Sequence, residues 1–200
     1  MNFSYLALGD SYSIGEQVPI QDSFPYQTTQ LLRKKGIPMA APEIVAQTGW
    51  TTDELLLQIE KNSFLPSYDI VTLLIGVNNQ YRGRTTDNFE PGFNSLLQKA
   101  IAFAGGNPQK VFVLSIPDWG VTPFAAERNN ASIALEIDGY NTACNSISGS
   151  MGCNYIDITT SQRLDALDDS FLAADKLHPS GKEYAKWAKL LADQIWMLLK

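Results

Sequence analysis

Two hundred residues, 44% hydrophobic and 18% charged, suit one soluble domain over residues 1–200 and match neither a disordered nor a membrane-embedded composition. A net charge of −6 argues against a nucleic-acid partner, because phosphate binding needs a clustered basic surface. No apolar stretch approaches the roughly 20 residues that span a bilayer, and Met1-Asn2-Phe3-Ser4 lacks a charged-then-hydrophobic leader; a cytoplasmic protein is expected unless a signal peptide has been removed.

Strands and helices alternate along the chain. The first apolar run, Tyr5 to Leu8, reads as a strand and leads directly into Gly9-Asp10-Ser11. A helix from about Ser23 to Lys35 follows, its end marked by the basic run Arg33-Lys34-Lys35, which complements the helix dipole, and by Gly36 and Pro38. Glu43 to Ala46 is the second strand. Thr51 and Glu54 then have capping-box spacing ahead of a helix that turns Leu55, Leu56 and Ile59 inward. Ile70 to Ile75 and Val111 to Ile116 are near-continuous apolar runs, as strands buried on both faces require. Between them, Leu96, Leu97, Ala100 and Ile101 give a helix over Phe93 to Phe103, with Gly105-Gly106 as its stop. A patchier helical stretch is predicted from Pro123 to about Ile147, then a strand from Tyr155 to Ile158. The last helix, after Pro179, repeats Tyr184, Trp187, Ala188, Leu191, Ile195 and Leu198 at helical steps. This order predicts an α/β fold with a five-stranded, mainly parallel sheet covered by helices on both faces.

Placed on that scheme, four segments meet at one edge. Ser11 follows the first strand, Gly49 the second and Asn78 the third, while His178 immediately precedes the final helix. In open parallel sheets ligands bind outside the carboxyl ends of the strands. A serine hydroxyl becomes a useful nucleophile when an imidazole takes its proton and a carboxylate orients that imidazole. His178 is the only histidine, so it is the one available base, and Asp175 stands three residues before it. Gly49, at a strand-to-helix junction, lets a backbone N–H approach a ligand, and the Asn78 amide can join it and the Ser11 N–H in donating to a developing oxyanion. Taken singly, each has a commoner role as a turn or cap residue.

Other chemistries find less support. Gly9-Asp10-Ser11-Tyr12-Ser13 lacks the final glycine of a Gly-x-Ser-x-Gly elbow, and neither a P-loop nor a Gly-x-Gly-x-x-Gly segment follows the first strand. Cys144 and Cys153 have no zinc-site or disulfide-framework spacing and read as free thiols, so neither metal nor cofactor is expected.

In combination these blocks resemble the SGNH hydrolases, also called GDSL esterases and lipases. Gly9-Asp10-Ser11 is similar to the family's first block, Gly49 to its second, Gly76-Val77-Asn78 to its third and Asp175-Lys176-Leu177-His178 to its last, in the family's order and over nearly the whole chain. The resemblance implies a three-layer α/β/α fold similar to flavodoxin. It also implies a Ser11, His178, Asp175 triad and an oxyanion hole of the Ser11 and Gly49 N–H groups with the Asn78 side chain. Two departures stand out: the third block usually ends in Asp, where this chain has Asn79, and Tyr12 occupies a position that is leucine in many members.

The implied activity is hydrolysis of small carboxylic esters through an acyl-enzyme, with Ser13 the nearest rival nucleophile. Tyr12, Trp50, Tyr81 and Trp119 can line an acyl pocket or stack on a sugar, and Arg82 and Arg84 can meet an anion. With little chain to build a lid or a long tunnel, short acyl or acetyl esters are expected, with thioesters and lysophospholipids as alternatives. Asp118, in the loop after the fourth strand, reads as a turn or cap residue sooner than a substrate contact. A reading from another class is a non-catalytic flavodoxin-like module holding phosphate or FMN on the Ser11–Gly15 loop.

Overall fold

Alternating apolar strands and amphipathic helices produce a five-stranded, all-parallel sheet in the order β2-β1-β3-β4-β5 in the computed structural model, which describes residues 2–165 and 168–200. The strands are β1 (Tyr5–Asp10), β2 (Glu43–Gln47), β3 (Ile70–Leu74), β4 (Val111–Leu114) and β5 (Asn154–Ile156). This is the strand order of flavodoxin-like folds, in which the order of strand addition reverses between β1 and β3 and opens a crevice there. β1, β3 and β4 are buried along their whole length, as their unbroken apolar runs require, whereas the edge strand β2 is half-exposed.

Two helical layers cover the sheet. In one, α2 (Phe24–Lys34) packs on α8 (Gly181–Leu199), with Phe24 against Tyr184 and Trp187 at ring separations of 6.5 and 6.2 Å. In the other, α3 (Thr52–Ile59), α5 (Thr86–Phe103) and α6 (Asn130–Ser150) follow one another, and the Phe89 ring of α5 lies 4.6 Å from Tyr140 of α6. Cys144 is buried within α6, Cys153 is half-buried, and both are free thiols. Among the described residues no helix is long and apolar enough to cross a membrane.

Several element boundaries differ from the sequence reading. The third long helix begins at Thr86, not Phe93, and carries Pro91 and Gly92 inside it. Thr85 caps its start by accepting the Asn88 N–H, and burial of Phe89 and Phe93 outweighs the local breaking tendency of Pro-Gly. The stretch expected from Pro123 is only a single 3-10 turn there; the helix starts at Asn130, where the Asn129 side chain accepts the Ser132 N–H at 3.2 Å. β5 stops at Ile156 because Asp157 turns the chain, accepting the N–H groups of Thr159 and Thr160 to start α7 (Thr159–Asp165). Three short helices were not anticipated: α7, and α1 (Ser11–Ile14) and α4 (Val77–Tyr81), which both begin at the crevice.

Candidate active site

Sheet register brings the candidate residues to one level. Gly9 of β1 pairs with Ala46 of β2 and Leu74 of β3, so Ser11, Gly49 and Asn78 all leave the sheet just beyond the same row. Gly9 itself must lack a side chain, since a Cβ there would meet the Ser13 hydroxyl and the Leu74 carbonyl as α1 folds back against the strand. Asp10 caps α1, its Oδ1 accepting the Tyr12 N–H at 3.1 Å. Burial pushes the Asp10 carboxyl up to about 7.

From the other end of the chain, the segment before α8 delivers His178. Its Nε2 lies 3.0 Å from Ser11 Oγ, and its Nδ1 lies 2.6 Å from Asp175 Oδ2. Asp175 Oδ1 accepts the backbone N–H groups of Leu177 and His178, both at 3.0 Å, which requires a tight turn and holds Lys176 at φ +59°. Burial raises the Asp175 carboxyl, but the His178 ring and these two N–H groups outweigh it and keep the group below its ordinary value. Tyr12 is buried behind the imidazole, 5.3 Å between ring centres, and braces it against Trp187.

The second and third segments face this trio. Gln47 O accepts the Trp50 N–H at 3.2 Å, closing a turn in which Gly49 sits at φ +85°. A left-handed residue at this corner is the type II turn requirement, which explains the glycine. No protein acceptor takes the Gly49 N–H among the described residues. Asn78, at the start of α4, spends one amide hydrogen on Trp50 O at 3.0 Å, leaving the other for the cleft. Ser11, Tyr12, Gly49, Asn78 and His178 line one cleft of about 200 Å³, walled by Val77, Tyr81, Trp119, Phe124 and Leu177.

Residue 79 resolves its departure from the usual aspartate. Asn79 is fully buried; its Oδ1 accepts the Thr52 N–H at 3.1 Å and its Nδ2 donates to Thr52 Oγ1 at 2.9 Å. An amide thus ties α4 to the first turn of α3, where a carboxylate would leave a buried charge.

A family model for GDSL-like lipases and acylhydrolases matches residues 7–186, which takes in all four segments. The chain belongs to the GDSL-like lipase/acylhydrolase family. It is an ester-hydrolysing enzyme. Solved structures of GDSL hydrolases share its fold. A lipase/acylhydrolase from Enterococcus faecalis superposes with a TM-score of 0.77 at 20% identity, covering 99% of this chain and 97% of that one. An acetylxylan esterase from Geobacillus stearothermophilus gives 0.75 at 17% identity, covering 97% and 95%, and the protein TesA gives 0.73 at 17%, covering 98% of each. No curated protein matches this GDSL hydrolase by sequence.

Other residues singled out in the sequence fall differently in this GDSL hydrolase. Tyr81 and Trp119 reach the cleft, while Trp50 packs on the core and presents its carbonyl to Asn78. Ser13 is buried behind Gly9, outside the cleft lining. Asp118 has the structural role expected of it, accepting the Gly120 N–H at 2.9 Å and Arg163 Nε at 2.8 Å. Neither arginine stands ready for an anion: Arg84 pairs with Asp53, and Arg82 pairs with Glu54 and reaches Gly49 O at 2.7 Å. Sequence reasoning missed Phe124 in the cleft wall and the Glu16 carboxylate, which accepts from the Thr48 hydroxyl. No local pattern marks either one.

Proposed function

We propose that residues 1–200 act as one serine-esterase domain in which Ser11 is the nucleophile, His178 its general base and Asp175 the carboxylate that orients the imidazole. The observation that carries this reading is the continuous hydrogen-bonded path Ser11 Oγ, His178, Asp175, with steps of 3.0 and 2.6 Å, at the floor of an apolar cleft. His178 Nε2 accepts the Ser11 proton as Oγ attacks the ester carbonyl, and Asp175 stabilises the imidazolium that forms. The carbonyl oxygen, now negative, is met by the Gly49 N–H, the second amide hydrogen of Asn78 and the Ser11 N–H. His178 then protonates the leaving alkoxide, the alcohol departs, and an acyl-Ser11 ester remains. A water molecule activated by the same imidazole attacks that ester and releases the acid.

The substrates are esters with short acyl groups, acetyl included. The small cleft and its apolar walls support this, and the fold shared with a protein named as an acetylxylan esterase is consistent with it. With both nearby arginines engaged by carboxylates, recognition of an anionic headgroup has no support.

The test is hydrolysis of p-nitrophenyl acetate together with labelling by a fluorophosphonate probe. Ser11→Ala should lose both turnover and label, His178→Ala should lose turnover, and Asn78→Ala should lower kcat by roughly 10²–10³-fold. Ser13→Ala should keep both readouts. Full activity in the Ser11→Ala protein would overturn the assignment.

A further inference from the structure

We infer that Arg82 is a positioning residue for the oxyanion donors, holding the Gly49 turn through its carbonyl while Thr48 is held from the opposite side by Glu16. The inference rests on the oxyanion-hole reading above and adds to it the parts that keep the hole assembled.

The turn from Gln47 to Trp50 joins an edge strand to α3, and only one turn hydrogen bond closes it, from Trp50 N to Gln47 O at 3.2 Å. Left to itself, such a loop would sample several orientations of the Gly49 peptides, since glycine has little conformational preference. Three side-chain contacts restrict it. The Arg82 fork donates through Nη2 to Gly49 O at 2.7 Å and through Nη1 to Glu54 Oε1 at 3.1 Å. Glu54 in turn accepts the Thr51 N–H at 2.8 Å, so the guanidinium is anchored to the first turn of α3 as well as to the turn itself. On the other side, Thr48 Oγ1 donates to Glu16, whose N–H is bonded to Ser11 O at 3.0 Å. Asn78 supplies the third contact through Trp50 O, and the Arg82 N–H is bonded to Asn78 O at 3.1 Å.

These bonds join all three oxyanion donors. Ser11 is linked through Glu16 and Thr48 to Gly49, and Gly49 is linked through Arg82 to Asn78. A planar fork fixes both its partners at once, which a lysine ammonium does not do. Preorganised donors gain their catalytic worth from not having to reorient as charge develops, so loosening the turn weakens the transition state more than the ground state.

The experiment is steady-state kinetics on p-nitrophenyl acetate with Arg82→Met, Arg82→Lys, Thr48→Val and Asn78→Ala, with boronic-acid inhibition as a measure of tetrahedral-adduct binding. Arg82→Met should lower kcat by about tenfold, less than loss of a donor outright, with KM little changed. Boronate affinity should weaken by the same factor as kcat/KM, Arg82→Lys should recover part of the loss, and Thr48→Val should shift the same parameters in the same direction. Combined with Asn78→Ala, Arg82→Met should cost less than it does alone, because both act on one oxyanion. An Arg82→Met enzyme with normal kcat and boronate affinity, beside an impaired Asn78→Ala, would overturn the clasp and leave the oxyanion hole standing. Normal kcat in Asn78→Ala would sink the underlying reading instead.

Discussion

Asp175 and His178 are joined twice: Asp175 Oδ2 lies 2.6 Å from the imidazole Nδ1, and Asp175 Oδ1 accepts the His178 backbone N–H at 3.0 Å. One carboxylate therefore fixes both the ring and the turn that carries it. In the proposed mechanism, Asp175→Asn puts an amide donor opposite Nδ1 and favours the wrong tautomer, so kcat should fall by about 10³–10⁴-fold with KM little altered. The carboxyl is held below its ordinary value of 3.8, so its stabilisation is present above that pH and lost as pH falls through the lower folded value. Unfolding followed from pH 5 downward should show a steeper acid loss in the wild type than in Asp175→Asn. Equal acid profiles would contradict the coupling.

Asp10 titrates in the opposite sense. Burial raises it from 3.8 to about 7, so the folded chain holds this proton more tightly than the unfolded one does. The associated stability is fully present below 3.8 and is lost as pH rises toward 7, with a limiting slope of about 1.4 kcal/mol per pH unit for one proton. Asp10→Asn keeps an acceptor for the Tyr12 N–H and removes the ionisation. Urea unfolding at pH 5 and pH 8 should show a smaller difference in the variant than in the wild type, with the variant the more stable protein at pH 8.

What the sequence made legible was whatever is written locally. Short apolar runs located all five strands, near-continuous ones in β3 and β4, and the capping-box spacing of Thr51 and Glu54 marked the start of α3, where the Glu54 carboxylate accepts the Thr51 N–H. Ser11, Gly49, Asn78 and His178 were legible because each directly follows a strand or precedes a helix, so topology alone sends them to one edge. The missed start of α5 has the opposite cause: Pro91-Gly92 is a local stop, overridden by burial of Phe89 and Phe93 that only the tertiary fold reveals. The Arg82 to Gly49 and Thr48 to Glu16 bonds span 33 and 32 residues, and nothing in either segment announces its partner.

Asn79 makes a prediction about stability. Its amide satisfies the Thr52 N–H and hydroxyl inside the core, and Asn79→Leu would leave both without that partner at an expected cost of about 1–3 kcal/mol per orphaned group. Thermal unfolding should show a Tm lowered by roughly 2–4 °C per kcal/mol for a chain of this size. Because α4 also carries Asn78, kcat should fall alongside Tm. A variant with wild-type Tm would mean the pair contributes nothing to the docking of α4 on α3.

The cleft wall makes the last prediction, on acyl length. The cleft of about 200 Å³, closed in by Val77, Trp119 and Leu177, suits a short acyl chain, and each methylene added within it can gain about 0.8 kcal/mol by leaving water. Trp119 limits the depth: it is only 5% exposed, and its Nε1 donates to Gln80 Oε1 at 2.7 Å, so it does not swing aside. Phe124, 47% exposed and 6.1 Å from the Trp119 ring, stands at the open rim. Across p-nitrophenyl esters, kcat/KM should therefore rise from acetyl to butyryl or hexanoyl and decline by decanoyl. Phe124→Ala should widen the rim and move the maximum to longer chains, with p-nitrophenyl acetate turnover nearly unchanged because the acetyl methyl does not extend that far. A wild-type optimum at dodecanoyl or beyond would mean that the chain lies outside this cleft and that Trp119 does not set its length.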